Sequence, residues 1–424
     1  MKVLHITPHF GGGVGRALLG VVAGDTNEIQ HSFICLEMPE KEQFINAIRE
    51  LGCDVSVAPS RTEIIEQIEA SDLVQVEWWC HPATIACLSQ LSNIPIRLVV
   101  WCHVSGLYNE TIPKHLLKSA ARFLLTSACS LQTIQIQELN PEERQRLEVV
   151  HSNGGLESWP KSLACDEDKP LAVGYIGSLN FTKLHPDYID FLAPVAVDDF
   201  KVSLIGDVTN QDILQQQAAS LNKPELLHFV GYTEDVPAEL SKVNVLAYIQ
   251  NPSHYGTNEN ALLEAMAMGI VPVVLNNPAE CEIVEHGVTG LVVDSVEAFL
   301  QAIAWLHQHP QQRTKLGLQA AKAVKLRHTK DTMKSLLSKH YHAVMQHRKH
   351  AINFINIFGE QPADWFLSCQ EDNTIFAENG GINYPQNRYL HHSLKEETKG
   401  SALHFHRYFP DDRKLLLWAR QLAS

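Results

Sequence analysis

Short, continuous apolar runs alternate with amphipathic stretches along most of the chain. KVLHITP (2–8), HSFICLE (31–37), VSVAP (55–59), LVQVEWW (73–79), IRLVVWC (96–102), RFLLTS (122–127) and LEVVHSN (147–153) read as strands, and helical patterns such as KEQFINAIRELG (41–52) separate most of them. Apolar strands alternating with helices predict a parallel sheet covered on both faces. A polar linker with two prolines, SWPKSLACDEDKP (158–170), interrupts the pattern, which then restarts: LAVGYIGS (171–178), FKVSLIGD (200–207), LLHFVGY (226–232), VNVLAYI (243–249), VPVVL (271–275) and GLVVD (290–294). The expected architecture is α/β, with two doubly wound parallel-sheet (Rossmann-like) domains, 1–160 and 170–345, of one architecture but without a sequence repeat. Open parallel sheets bind ligands beyond the carboxyl ends of their strands, so two such domains facing a cleft place the default site there. After about residue 345 the pattern breaks. Residues 346–424 form an extension rich in Asn, Gly and aromatics, ending in an amphipathic helix, RKLLLWARQL (413–422), that would pack on the first domain or contact a partner.

Composition narrows the class. A chain of 424 residues is too long for a single core, and its hydrophobic share of 45% is that of a globular protein. A net charge of −14 argues against a general nucleic-acid binder, which needs a basic surface. Basic residues concentrate in 311–350, which carries ten Lys/Arg, one Asp and five His. This reads as a solvated helix face, with a patch facing an anionic acceptor or membrane as the sharper alternative. Nine scattered cysteines, odd in number and without metal-ligand spacing, predict reduced core thiols and a cytosolic protein. The first strand opens at Lys2 with no leader before it, and no apolar run reaches the roughly 18 residues of a membrane span. The expectation is a cytoplasmic protein, at most associated with a membrane.

Two stretches carry candidate chemistry. ITPHFGGGVGRALLGVVAG (6–24) is a strand, a glycine turn and a helix, a geometry that brings backbone N–H groups to an anion. The dinucleotide fingerprint G-x-G-x-x-G is not met, since Arg16 follows Gly11 and Gly13 where the third glycine belongs; Glu37, ending the second strand, keeps a nicotinamide enzyme in play. The second stretch is GTNENALLEAMAMGIVPVV (256–274). Thr257 or Asn258 would cap its helix, leaving N–H groups for a diphosphate. Glu264 lies two turns in, among Ala261, Leu262, Leu263, Ala265, Met266 and Ala267. A helix apolar nearly all round is buried, and a buried carboxylate needs partners, such as the two hydroxyls of a ribose. Earlier, VGYIGSLNFTKLHPDY (173–188) ends a strand at Gly177-Ser178 with Lys183 close by, a cation able to reach phosphate.

PSHY (252–255), NALLEAMAMG (260–269), PVV (272–274) and EIVEHGVTGLVV (282–293), with VGY (230–232) before them, resemble the donor-binding signature of retaining GT-B glycosyltransferases of the family 4, glycosyl transferases group 1, type. GGGVGR (11–16) is similar to that family's first-domain loop. The resemblance spans most of residues 1–340. It implies a GT-B architecture, with Glu264 holding the donor ribose and Lys183 its diphosphate. It further implies Gly12, Gly13 and Gly15 as the loop closing over donor phosphate and acceptor, and His103, in WCHVSG, near the transferred sugar. Ser178, Asn258, Glu259 and Asn260 join the donor-binding set, and His103 and Lys183 the catalytic one. Two positions depart from the pattern. A second glutamate belongs eight residues before Glu264, where Gly256 stands, with Glu259 close enough to substitute. An arginine often accompanies the lysine, where Ser178 stands.

The implied function is transfer of a sugar from a nucleotide diphosphate sugar to an acceptor hydroxyl with anomeric retention, in polysaccharide or cell-surface glycan synthesis. The donor is a substrate and no cofactor is expected. No Asp-x-Asp or His cluster reads as a metal site, which predicts metal independence. A glycan or lipid-linked acceptor and peripheral membrane contact are compatible with this reading, and nucleic acid is not. No carboxylate reads as a covalent nucleophile. A non-catalytic nucleotide-sugar binder, a nicotinamide oxidoreductase and a sugar-nucleotide epimerase remain as alternatives.

Overall fold

The computed structural model describes residues 1–24, 28–152, 155–160 and 169–423. Most of the interdomain linker, with Cys165, therefore lies outside the described residues. The chain divides into two compact units: unit 1 comprises residues 1–154, 255–258 and 330–424, and unit 2 comprises 155–254 and 259–329.

Unit 1 is built on a parallel sheet of seven strands, β1 (Lys2–Thr7), β2 (Gln30–Cys35), β3 (Asp54–Val57), β4 (Leu73–Trp78), β5 (Leu98–Cys102), β6 (Arg122–Leu125) and β7 (Leu147–Val149), in the order β3-β2-β1-β4-β5-β6-β7. Register is continuous from Lys2↔Gln30 to Thr7↔Cys35 and from Val74↔Leu98 to Trp78↔Cys102. β4 and β5 are buried along their whole length, as expected of central strands covered on both faces. Unit 2 carries β8 (Val173–Ile176), β9 (Val202–Ile205), β10 (Leu227–Gly231), β11 (Val245–Tyr248), β12 (Val271–Leu275) and β13 (Leu291–Val293), all parallel, in the order β10-β9-β8-β11-β12-β13. In both sheets the winding direction reverses beside the first strand, the position at which such sheets bind ligands.

The second domain expected over 170–345 ends earlier in the structure. The helix Lys330–Met345 groups with unit 1 because it buries Met333, Leu337, Tyr341 and Val344 against Val3, Phe33 and Trp101. The extension beyond it belongs to unit 1 as well. Phe358 stacks on Trp78 with ring centroids 5.6 Å apart. Phe366, Phe376, Phe405, Leu415, Trp418 and Leu422 share a core with Ile85 and Leu88 of the helix Pro82–Ser89. The amphipathic helix Arg413–Leu422 turns Leu415, Trp418, Ala419 and Leu422 inward. The basic run is not uniformly solvated: Arg313 is 2% exposed and donates to the carbonyls of Leu306 and Lys169 within unit 2. Six of the eight described cysteines are buried thiols, and all eight are free. No helix among the described residues is long and apolar enough to cross a membrane.

Candidate functional site

In unit 2 the chain leaves β8 through Gly177 and passes close to the end of β9. A Cβ on Gly206 would stand 2.0 Å from the Gly177 carbonyl oxygen, so glycine is obligatory at this approach. The following loop is held by its own polar groups. Asp207 accepts from the Leu179 amide (3.2 Å), Asn180 accepts from the Lys183 amide (3.0 Å) and donates to the Ser178 hydroxyl (2.6 Å), and the Asn251 amide donates to the Lys183 carbonyl (2.7 Å). Ser178 is therefore a loop-organising residue, half-buried, whose carbonyl also accepts from Tyr175 (2.8 Å).

This loop aims Lys183 at Glu259. The ammonium reaches both carboxylate oxygens, at 2.8 and 3.0 Å, and Tyr248 at the end of β11 donates to the same carboxylate at 2.5 Å. His254 Nδ1 lies 3.9 Å from it, and His254 Nε2 lies 3.1 Å from Glu280, which also accepts from Asn277 (3.3 Å). Burial pushes the Glu259 carboxyl up, but Lys183, His254 and the Tyr248 hydroxyl outweigh it and hold the group at about 2. Tyr248 is driven well above its ordinary value, by burial first and by Glu259 second. Lys183 and Glu259 are thus brought together. The acid expected to replace the missing glutamate at 256 is committed to the lysine. Tyr248, His254 and Glu280 complete the cluster; His254 lies in the PSHY run, whereas Tyr248 at the end of its strand and Glu280 carry no motif.

The helix Asn260–Ala267 does not open as expected. Its N-cap is Glu259, in the left-handed region at φ +32°, with no side-chain cap. Thr257 and Asn258 are engaged elsewhere within unit 1: the Thr257 hydroxyl meets that of Thr126 at 3.1 Å, and the Asn258 amide donates to the Ser152 carbonyl at 2.7 Å. A non-glycine residue in that backbone region costs about 1 kcal/mol, and such strain concentrates at functional sites. Asn260 is the first helical residue and Glu264 lies one turn further on, on the same face. Glu264 is 7% exposed. The helix ends at Gly269, φ +86°, and packs so tightly on the helix Pro310–Arg327 that a Cβ on Gly317 would fall 2.0 Å from the Gly269 carbonyl.

In unit 1 the glycine turn separates into parts. Gly12, φ +60°, is exposed and has nothing near an added Cβ. Gly15 is required by packing, since its Cβ would stand 2.0 Å from the Phe10 carbonyl. Gly13 lies in the first turn of the helix Gly12–Val22, whose early N–H groups have no intrahelical acceptor. His103 follows β5, and its Nε2 lies 2.7 Å from Glu77 of β4. Glu77 also accepts from Gln75 (2.7 Å), which accepts from the Tyr341 hydroxyl (2.6 Å), and His5 Nδ1 lies 3.7 Å away. Burial raises the Glu77 carboxyl, but the hydrogen bond to His103 and the nearby His5 ring outweigh it and hold it below the usual carboxylate range. A cavity of about 1320 Å³ opens at the opposite, amino-terminal edge of this sheet, lined by Lys2, Gln30, His31 and Asp54, and contains none of these residues.

Two parallel α/β sheets, each reversing direction beside its first strand and each with polar residues at its carboxyl edge, define the GT-B type of fold. Residues 157–323 match the family Glycosyl transferases group 1, a segment that contains Lys183, Glu259 and Glu264. The structure is similar to that of Anabaena HepE in complex with UDP, with TM-score 0.65 and 18% identity over 81% of this chain and 100% of that one. It is also similar to a sucrose-phosphate synthase from Thermosynechococcus elongatus, with TM-score 0.62 and 14% identity over 82% and 99%. A glycosyltransferase from Rickettsia africae gives TM-score 0.61 and 14% identity over 81% and 98%. No curated protein matches the chain in sequence.

Proposed function

We propose that unit 2 binds a nucleotide diphosphate sugar and that the protein transfers the sugar to an acceptor hydroxyl with retention at the anomeric carbon. The observation that carries this reading is Glu264, a carboxylate almost wholly buried on a helix that begins at the residue gripping Lys183, inside the segment matching the glycosyltransferase family. Glu264 holds the donor ribose. Lys183 meets the diphosphate, sharing its ammonium between phosphate and Glu259, which holds it in place before the donor arrives. The first-turn N–H groups of the helix Asn260–Ala267 add fixed positive ends to the leaving group. His103, held by Glu77, serves the transferred sugar. The bond from the anomeric carbon to the diphosphate oxygen breaks, that to the acceptor oxygen forms on the same face, and the departing phosphate takes the acceptor proton. Lys183 and backbone dipoles supply the neutralisation that a metal supplies elsewhere, so a chelator leaves the rate unchanged. Similar folds crystallised with UDP favour a uridine donor, and a neighbouring outer-core galactosyltransferase favours a glycan acceptor.

A thermal-shift screen over nucleoside diphosphates and their sugars tests this reading, since a ligand of the native state raises the midpoint. A shift with one base series, followed by release of that nucleoside diphosphate on adding acceptor, is the expected result. A shift with NAD alone would overturn it in favour of an oxidoreductase.

A further inference from the structure

The carboxyl edge of the unit 1 sheet carries a second polar cluster, and the C-terminal extension supplies three of its seven residues. His9 follows β1, Glu37 follows β2, and Trp79 and His81 follow β4. The loop before the helix Ala402–Tyr408 brings Lys399, and the helix brings His404 and Tyr408. Ring centroids of His81 lie 4.7 Å from His404, 5.4 Å from Tyr408 and 5.7 Å from His9; His9 lies 5.4 Å from Trp79, and the Lys399 ammonium 5.9 Å from the same indole. Gly400 fixes this arrangement. It sits at φ +87°, and a Cβ there would stand 2.6 Å from the Glu110 carboxyl carbon.

The three histidines are set alike. Nδ1 of His9 accepts from the Gly11 amide (3.0 Å), Nδ1 of His81 from the Ala83 amide (3.2 Å), and Nδ1 of His404 from the Gly400 amide (3.0 Å). An imidazole accepting at Nδ1 carries its proton on Nε2. Burial first, then Lys399 for His9, Arg407 for His404 and the neighbouring histidines for His81, keep all three neutral near pH 7, His9 and His404 at about 3 and His81 well below its ordinary value. Each ring is therefore a hydrogen-bond donor at Nε2 and lacks the lone pair a metal would need there. His81 directs its donor to Glu37 at 3.4 Å, and the Tyr408 hydroxyl donates to the same oxygen. His9, His404 and the Lys399 ammonium have no such acceptor among the described residues. His404 is only 4% exposed. Lys399 is an exposed residue whose pKa burial of the ammonium pushes down to about 8, against the opposing pull of Glu37 and Glu40.

We propose that this cluster binds an oxyanion carried by the acceptor, a carboxylate or phosphate on a saccharide, with Lys399, His404 and His9 as its donors. The acceptor role rests on the glycosyltransferase reading; the oxyanion site does not. A neutral polyol both donates and accepts, and fits poorly where three donors gather and Glu37, the carboxylate bonded within the cluster, has already spent an oxygen on Tyr408 and His81, with Glu40 the other acid facing Lys399. The extension thus selects the acceptor, in a part of the chain outside the segment that matches the family.

The test is calorimetric titration of the full-length protein with glucuronic acid, glucose 6-phosphate, inorganic phosphate and glucose. Saturable binding of at least one sugar acid, and none of glucose, is expected. A preference for glucuronic acid identifies a carboxylate source and a preference for glucose 6-phosphate a phosphate source. Inorganic phosphate should compete with whichever binds. Lys399→Met, which keeps the stem, should weaken the sugar acid about tenfold or more, the worth of a charge-assisted hydrogen bond, with the nucleoside diphosphate response intact. His404→Gln, which can still donate, should weaken it less. Glucose binding as well as its acids, no probe binding, or an unaltered Lys399→Met would overturn the proposal. Loss of nucleoside diphosphate binding in Lys399→Met would also overturn it, by assigning the lysine to the donor. Failure of the donor reading shows separately, as no response to nucleotides with sugar-acid binding retained.

Discussion

The polar clusters of the two units contrast in how their charges are matched. In unit 2, Lys183, Glu259, Tyr248, His254 and Glu280 form a closed set in which each ionised group faces an opposite or hydrogen-bonding partner. In unit 1, His9, His404 and Lys399 donate without acceptors among the described residues, beside a Glu37 whose carboxyl burial pushes up to about 7. A closed set stabilises the unit that contains it and holds its cation in place before a ligand comes. An open one contributes little to stability and is completed by what it binds. The difference teaches that the same residue types can mark a prepared site or an unfilled one, and that partner geometry tells them apart.

The comparison breaks most visibly at Glu259. Glu259→Ala leaves a desolvated Lys183 without its counter-charge, and loss of about 3–5 kcal/mol is expected, read by denaturant unfolding. Lys399→Met should move stability by about 0.5 kcal/mol or less, as at an exposed position. Equal effects at the two sites would erase the distinction.

Next in size is Glu77, a buried carboxylate that acts through His103. Glu77→Gln should lower kcat by about 10- to 100-fold with the donor KM little changed, and should alter the pH profile of kcat, a readout that loosened packing alone would not move. A pH profile identical to that of the unmodified protein would reduce Glu77 to a structural role.

The smallest effect is on pH. Glu37 ionises near 7, its pKa raised chiefly by burial, and Lys399 loses its proton near 8. Both changes remove positive potential from a cluster that Glu40 and Arg407 also face, while His9, His81 and His404 stay neutral. Sugar-acid affinity should therefore fall as pH rises from 6 to 9, measured by the same titration. Affinity rising over that range would contradict the charge assignment.

Much of this was legible in the sequence because it is periodic or local. The apolar runs predicted strands that the sheets contain, and the apolar surround of Glu264 predicted its burial. Gly269 ended its helix as the pattern required. What stayed hidden depends on distance along the chain. Lys183 and Glu259 are 76 residues apart, and Tyr408 and Glu37 are 371 apart. Neither spacing carries a motif. The cap at Thr257 or Asn258 was misplaced for the same reason: their side chains were claimed by Thr126 and Ser152, partners that only the fold reveals. The helix Lys330–Met345 is amphipathic in either unit, and only the core it fills decides its membership.

The central claim is that unit 2 grips a nucleoside diphosphate through Glu264 and Lys183. Calorimetric titration of UDP and GDP into the unmodified protein and into Glu264→Ala tests it most directly. The nucleoside diphosphate bound by the unmodified protein should lose about 10-fold or more in affinity in the variant, as expected for hydrogen bonds to a charged group. Equal affinities for the two proteins would contradict it.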